Sequence, residues 1–481
     1  MSKHTTHNRR PMLVTITITC IILLAFLPAG VLTLLSTTSS PARAAGVSPA
    51  TVLIHPGIKK VSQATPFPPT TAFCLKNYNI LCYQPGQIQQ AYNLPPLFNQ
   101  GITGKGQTII IVDSFGSPTI GRDLKTFDDA FGLPAPPSLT VIQPAGPVAP
   151  YRPTPTRIGW AGETNLDVEY AHTMAPGANI LLVETPSSEE EGITGFPDII
   201  KAEKYVIDHH LGGVISQSFS ATEQTFSSAQ QLLSLRGAYI DAYHHNVTVL
   251  TASGDSGAAD VKFNGTTYYT FPVTSWPDSD PLVTGVGGTQ LHLNAQGQHT
   301  APDNVWNDTY NVPTNEFIFG NAGPNPLAGG GGKSIIFARP SYQNGVKSVV
   351  GARRGVPDIS MSGACNGGVV YYQSFAGQAP GWYVVCGTSE ATPLLAGVVA
   401  LADQVAGHPL GLINPALYSL STSGSPGIVD VKKGNNTVTF TQGGTQHTVT
   451  GFSALPGYDL ASGVGTIDAA RFVFELARLA G

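Results

Sequence analysis

The stretch Gly387-Thr388-Ser389-Glu390-Ala391-Thr392-Pro393 opens an apolar run from Leu394 to Ala402. A Gly-Thr-Ser turn leading into a helix of small and aliphatic residues is a place for a serine nucleophile. The first turn of such a helix leaves backbone N–H groups unpaired and carries the positive end of the helix dipole. Both favour negative charge developing nearby. Pro393 is expected in the first turn, where its missing N–H costs little. Ser389 then needs a base, and the identity of that base decides the chemistry.

A histidine base usually lies in an H-G-T-H helix start, and the sequence has none; its twelve histidines are scattered. His172 alone falls within an informative helical stretch, and a lone helical histidine is more often a structural hydrogen-bonding residue. Asp113, after the run QTIIIV, is tempting as a triad aspartate but lacks its histidine. The stretch Gly162 to His172 offers carboxylates instead. Glu163 and Asp167 stand four apart, so on a helix their side chains share a face, while Glu169 points elsewhere. Two carboxylates in one site resist double ionisation and can hold one proton between them. Such a pair could act as general base for Ser389 at low pH, where histidine is protonated. Two solvated acids on a surface helix is the bland alternative. The Ala175-Pro176-Gly177-Ala178 turn into an apolar strand argues that this helix packs on a sheet.

Asp255 lies in Ser253-Gly254-Asp255-Ser256-Gly257, just beyond the strand-like run VTVLTA. Held neutral by apolar surroundings, it could donate a hydrogen bond to an oxyanion. An Asx turn is the plain reading of this motif taken alone.

The elements that would position these groups alternate. Gln107–Val112, Asn179–Val183, Gly213–Ser216 and Val247–Ala252 read as strands buried on both faces. Arg122–Phe131, Glu163–His172, Pro197–His209 and Phe226–Tyr243 read as helices. Alternation of this kind predicts an α/β fold with a doubly wound parallel sheet covered by helices on both faces. Active sites in such sheets gather at the carboxyl ends of the strands.

Taken together, these residues resemble the sedolisin family, the serine-carboxyl peptidases, from about Tyr83-Gln84-Pro85 to the C-terminus. The resemblance runs through Ile110-Ile111-Val112-Asp113, Phe131-Gly132-Leu133-Pro134, Leu166-Asp167-Val168-Glu169 and Val214-Ile215-Ser216. It continues through Gly254-Asp255-Ser256-Gly257, Val286-Gly287-Gly288-Thr289, Gly330 to Ser334, Val356-Pro357-Asp358-Ile359-Ser360 and Gly387-Thr388-Ser389. It implies a subtilisin-like fold and an endopeptidase working at acid pH on protein or peptide substrates. Ser389 would be the nucleophile, Glu163 the base, Asp167 the residue orienting that base, and Asp255 the oxyanion acid. A catalytically impaired binding protein of the same fold is the alternative, and the four filled catalytic positions argue against it.

The resemblance also implies one structural Ca²⁺, held by carboxylates of Asp430 and Asp459 and by carbonyls of Val431, Leu455 and Gly457. Hard oxygen donors of that kind suit calcium. Three departures stand out. Only about thirty residues separate the N-terminal leader from the family match, where relatives usually carry a long folded prodomain. Ser218-Phe219-Ser220 replaces the family's common Ser-Trp-Gly. Glu390 follows the nucleophile where a small residue is usual; it would either perturb the site's pH dependence or complement the helix dipole.

Residues 1–45 combine a basic start, an apolar stretch from Met12 to Leu35 and a small-residue site at Pro41 to Ala45, the pattern of a secretory signal peptide. An uncleaved membrane anchor is the rival reading. Residues 46–75 read as a short extended segment and 76–481 as one peptidase domain. Of 25 basic residues, Lys3, Arg9, Arg10 and Arg43 fall in the leader with no acid, leaving 21 against 30 acidic and a net charge of −9. The leader implies a protein that works outside the cell, and the acidic, charge-poor remainder argues against a nucleic-acid partner; a monomer is expected. Cys74, Cys82, Cys365 and Cys386 allow three pairings, or free thiols; local closure favours Cys74–Cys82 and Cys365–Cys386.

Overall fold

A computed structural model describes residues 59–321 and 323–480. The expected leader over 1–45 and the membrane-anchor alternative fall outside this range. Among the described residues no helix is long and apolar enough to cross a membrane.

The β-branched run expected as a doubly buried strand forms Thr108–Ser114, at the switch point of an eight-stranded sheet. Asn179–Thr185 and then Leu139–Ile142 lie to one side of it. Val214–Gln217, Thr248–Ala252 and Thr284–Gln290 lie to the other, all parallel. Ile359–Ser362 pairs in parallel with Thr284–Gln290, and Asn304–Val305 closes that edge antiparallel. Alternate side chains of the central strand feed two cores. Ile109 and Ile111 pack with Leu394, Val398 and Leu401. Ile110 and Val112 pack with Phe196, Ile199 and Val206 on the opposite face. Continuous apolar character is what a strand covered by helices on both faces requires.

Three expected helices are present, as Ile120–Phe131, Pro155–Met174 and Phe196–Asp208. The single helix expected over Phe226–Tyr243 is two, Ala229–Leu233 and Gly237–His244. Ser228 caps the first by accepting from Gln231 N, and the chain turns at Ser234 to Arg236 before Gly237 restarts it. The apolar spacing survives that break, which is why periodicity alone ran the two together. Both locally closed disulfides form, Cys74–Cys82 and Cys365–Cys386.

A second, four-stranded sheet carries the nucleophile turn. The antiparallel hairpin Gly368–Gln373 and Gly381–Cys386 runs directly into Gly387 and the helix Thr388–Ala406. Residues 59–83 supply both flanking strands: Lys59–Lys60 pairs with Gly381–Cys386, and Cys82–Tyr83 with Gly368–Gln373. The N-terminal segment is therefore built into the fold from Lys59, and the helix Thr71–Tyr78 crosses the expected boundary at residue 75.

Candidate active site

Gly387 has φ 130°, a conformation that favours glycine, and this lets the chain turn from strand into helix with Ser389 in the first turn. Pro393 lies in the second turn, not the first as expected, so it removes the hydrogen bond that Ser389 O would otherwise receive. Ser218 Oγ takes that place at 3.3 Å from Ser389 O. The same hydroxyl lies 2.8 Å from Asp167 Oδ1. Ser389 Oγ in turn lies 3.4 Å from Ser218 O. Ser218 sits just past the carboxyl end of Val214–Gln217, and a hydroxyl there bridges the acid helix to the nucleophile.

Glu163 and Asp167 lie on one face of Pro155–Met174, as their spacing implied, and both are fully buried. Their helix packs against the nucleophile helix. Burial holds Asp167 well above the ordinary aspartate range, and the carboxyls of Asp113 and Glu163 push it further; the Ser218 hydrogen bond opposes them. Asp113 ends this side of the central strand. Burial lifts it to about 7, with Thr164 opposing and Glu184 adding to the rise. Asp113 thus belongs to the carboxyl cluster that the sequence assigned only to Glu163 and Asp167. Its place after the central strand was the available signal, discounted because no histidine accompanied it. Glu169 points elsewhere, its carboxylate accepting from Tyr372 N at 3.0 Å.

Asp255 follows Thr248–Ala252 and faces the nucleophile turn. Its Oδ1 accepts from Thr388 N at 2.7 Å and Thr388 Oγ1 at 3.0 Å, while Thr388 Oγ1 accepts from Gly254 N at 3.1 Å. These bonds fix the acid one residue from Ser389. A Cβ at Gly330 would lie 1.9 Å from Ser253 O, so only glycine lets that loop close over the same turn.

His172 stands away from this cluster. It is buried at the far end of its helix, with Nε2 2.8 Å from Pro134 O and 3.4 Å from Asp128 Oδ1. Phe219, in place of the family tryptophan, packs edge-on to Trp160 at 6.2 Å, so it supports the helix carrying Glu163 from beneath.

Glu390 is fully buried, so it does not serve as a solvated acid at a helix end. Burial holds its carboxyl well above the ordinary range; Ser362 opposes this and Asp255 adds to it. A neutral isostere removes the cost of keeping that group buried as pH rises. Glu390→Gln is therefore expected to lose less thermal stability than the parent between pH 4 and pH 7, as read by paired melting curves.

Near the C-terminus, Asp430 and Asp459 converge on the loop Leu455–Gly457. Leu455 N donates to Asp459 Oδ2 at 2.9 Å and Gly457 N to Asp430 Oδ2 at 3.0 Å. Asp430 Oδ1 is buried without a hydrogen-bond partner among the described residues. The orphaned Asp430 oxygen fits a hard cation, whereas Asp459 already accepts from Leu455 N, Ala461 N and Ser462 N. No group of three or more His, Cys, Asp or Glu is placed to hold a metal among the described residues, so a cation here would draw its remaining ligands from carbonyls.

The subtilase family pattern matches residues 158–416, from the acid helix through the nucleophile. Kumamolisin from Bacillus sp. (strain MN-32) is 30% identical over 391 residues, covering 80% of this chain and 62% of that protein. Sedolisin from Pseudomonas sp. (strain 101) is 29% identical over 371 residues, covering 77% of this chain and 57% of that protein. The chain belongs to the subtilase family, in its sedolisin branch. A solved structure of Pseudomonas sedolisin, a serine-carboxyl proteinase complexed with two molecules of pseudo-iodotyrostatin, shares the fold. It superposes with a TM-score of 0.68 at 24% identity, covering 84% of this chain and all of that one. The fold is thus subtilisin-like, as the family resemblance implied, and is built on the parallel sheet that the strand–helix alternation implied. The chain spans about three fifths of the length of these two family relatives.

Proposed function

We propose that this chain is a serine-carboxyl endopeptidase that hydrolyses peptide bonds of protein or peptide substrates at acid pH. The observation that carries the reading is the bridge at Ser218, whose hydroxyl reaches both Asp167 and the carbonyl of Ser389, with Glu163 buried on the same helix face. A solvent-facing acid pair would have no such link to a serine.

In the reaction, Ser389 Oγ attacks the scissile carbonyl carbon and its proton passes to Glu163. Asp167 orients Glu163 and shares its charge, and Asp113 behind it disfavours a second ionisation in the cluster. The carbonyl oxygen becomes an oxyanion at the N-terminus of the helix Thr388–Ala406. There the first-turn N–H groups and the protonated carboxyl of Asp255 stabilise it. Glu163 returns the proton to the leaving amine, and water, deprotonated by Glu163, releases the acyl group from Ser389. Burial keeps protons on Asp113 and Asp167 above the usual range, so the acid cluster need not be fully ionised in acid. A histidine base would be charged and idle there.

The test is cleavage of an unfolded protein substrate from pH 3 to pH 7 in the presence of pepstatin. Cleavage in acid that disappears in Ser389→Ala supports the reading. No cleavage at any pH, with Ser389→Ala indistinguishable from the parent, overturns it in favour of a binding protein of this fold.

We also propose one structural Ca²⁺, held by Asp430 and Asp459 with carbonyls of Val431, Leu455 and Gly457. It would tie the C-terminal loop to the strand pair Ile428–Val429 and Thr466–Ile467. Chelation with EGTA is expected to lower the melting temperature, and added Ca²⁺ to restore it; equal melting with and without chelator would remove the ion from the account. The N-terminal leader supports export of the peptidase, and the acidic composition of the remaining chain supports a monomer with no nucleic-acid partner.

A further inference from the structure

The four-stranded sheet holds the hairpin that ends in Ser389 between two strands of the N-terminal segment. In the register Lys59↔Cys386 and Lys60↔Val385, Lys60 is carried to the flank of the strand that precedes the nucleophile. Val61 N donates to Val384 O at 2.8 Å and Val384 N to Ser62 Oγ at 2.7 Å, so the pairing continues past the strand itself.

From that strand the Lys60 ammonium reaches inward. It donates to Gln373 Oε1 at 3.0 Å and Gln378 Oε1 at 2.9 Å, and lies over the rings of Tyr383 and Phe375 at 5.2 and 5.8 Å. The Tyr371 hydroxyl donates to the same Gln373 Oε1. This network presses on the acid helix at Gly162, the residue before Glu163. A Cβ there would lie 3.3 Å from Tyr371 Oη and 3.4 Å from Lys60 Nζ, so glycine lets the ammonium and the phenol approach the helix backbone.

We propose that Lys60 is a positioning residue of the active site: its ammonium, held by Gln373 and Gln378 against Gly162, fixes Tyr371 beside Glu163 and makes the shoulder of the base electropositive. The proposal rests on the serine-carboxyl reading of Glu163.

The charged surroundings favour such a role. The acid helix presents Glu163, Asp167 and Glu169; the central strand presents Asp113; the helix Ile120–Phe131 presents Asp123; the hairpin presents Tyr371 and Tyr383. Arg122 reaches Asp123 from an exposed position, and Arg157 stacks on Phe115. Burial, with neighbouring carboxyls adding to it, drives carboxyls of this cluster upward, which works against a base that must ionise in acid. In the proposal, the ammonium held against Gly162 opposes that drift at Glu163. Burial lowers Lys60 to about 7, so the ammonium keeps its charge throughout the acid range and gives it up towards neutrality.

The test compares pH profiles of kcat/KM for the parent, Lys60→Met, Lys60→Arg and Glu163→Gln, each checked for folding by circular dichroism. Lys60→Met is expected to move the acid limb to higher pH by about half a unit or more and to lower kcat several-fold with KM little changed. Lys60→Arg should keep the parent's limb. A folded Lys60→Met enzyme with the parent's acid limb and kcat overturns the proposal, as does Lys60→Arg shifting as far as Lys60→Met. If Lys60→Met does not fold, Gln378→Leu, which removes one acceptor of the ammonium, should give a smaller shift in the same direction; an unmoved limb overturns the proposal. Full activity in Glu163→Gln overturns the serine-carboxyl reading itself, a result separate from either Lys60 outcome.

Discussion

Ser389→Ala is expected to lower kcat on a peptide substrate by at least about four orders of magnitude, and Glu163→Gln by about three to four. The double variant should be no worse than Ser389→Ala alone. The reason is structural. In the proposed reaction every proton that Glu163 handles belongs to the acyl-enzyme route through Ser389, so once the hydroxyl is gone the base has nothing to do. Groups acting as a unit are non-additive in this way, whereas two independent contributions would multiply. Steady-state kinetics at pH 4 on one peptide gives all four values. A double variant slower than Ser389→Ala by a further thousandfold would show Glu163 working in some other step.

The second large effect is on stability. Burial raises Asp113 and Asp403 to about 7, and raises Asp167, Glu169, Glu203, Asp278 and Glu390 well above their ordinary values. Each folded-state value lies above its unfolded value. Between the two, the folded protein binds more protons than the unfolded chain, so stability falls as pH rises. The contribution is complete below about pH 4 and is lost on the way to pH 7 and beyond. For Asp403, a rise from 3.8 to about 7 corresponds to at most about 4 kcal/mol. Burial also lowers Lys60, but its penalty is constant while the ammonium stays charged, so it does not offset the trend below pH 6. Calorimetry on Ser389→Ala, which prevents self-digestion, should give a melting temperature at least about 5 °C higher at pH 4 than at pH 7. Equal or higher stability at pH 7 would mean that these carboxyls ionise without cost.

Much of this architecture can be read from local pattern. Isoleucines 109 to 111 are uninterrupted because helices cover both faces of their strand, and a single chain segment suffices to see that. The four-residue step from Glu163 to Asp167 likewise fixes a shared helix face without further context. What escaped the sequence depends on contacts between distant segments. Asp113 joins the carboxyl cluster only because its strand lies beneath the acid helix. Ser218 stands out in the sequence only as part of Ser218-Phe219-Ser220; its contact with Ser389 O depends on Pro393, some 175 positions later in the chain. Lys60 lies outside the stretch that resembles the family, and nothing local ties it to Gly162. The break at Ser234 to Arg236 was missed for the opposite reason, since apolar spacing continues across a turn that the backbone makes.

The most direct measurement is the pH dependence of kcat/KM from pH 2 to pH 8 for the parent, Glu163→Gln and His172→Ala. A carboxylate-driven serine predicts an acid optimum for the parent, a loss of about a thousandfold or more in Glu163→Gln, and a profile in His172→Ala that keeps the parent's shape. Activity that survives Glu163→Gln and vanishes in His172→Ala would contradict it.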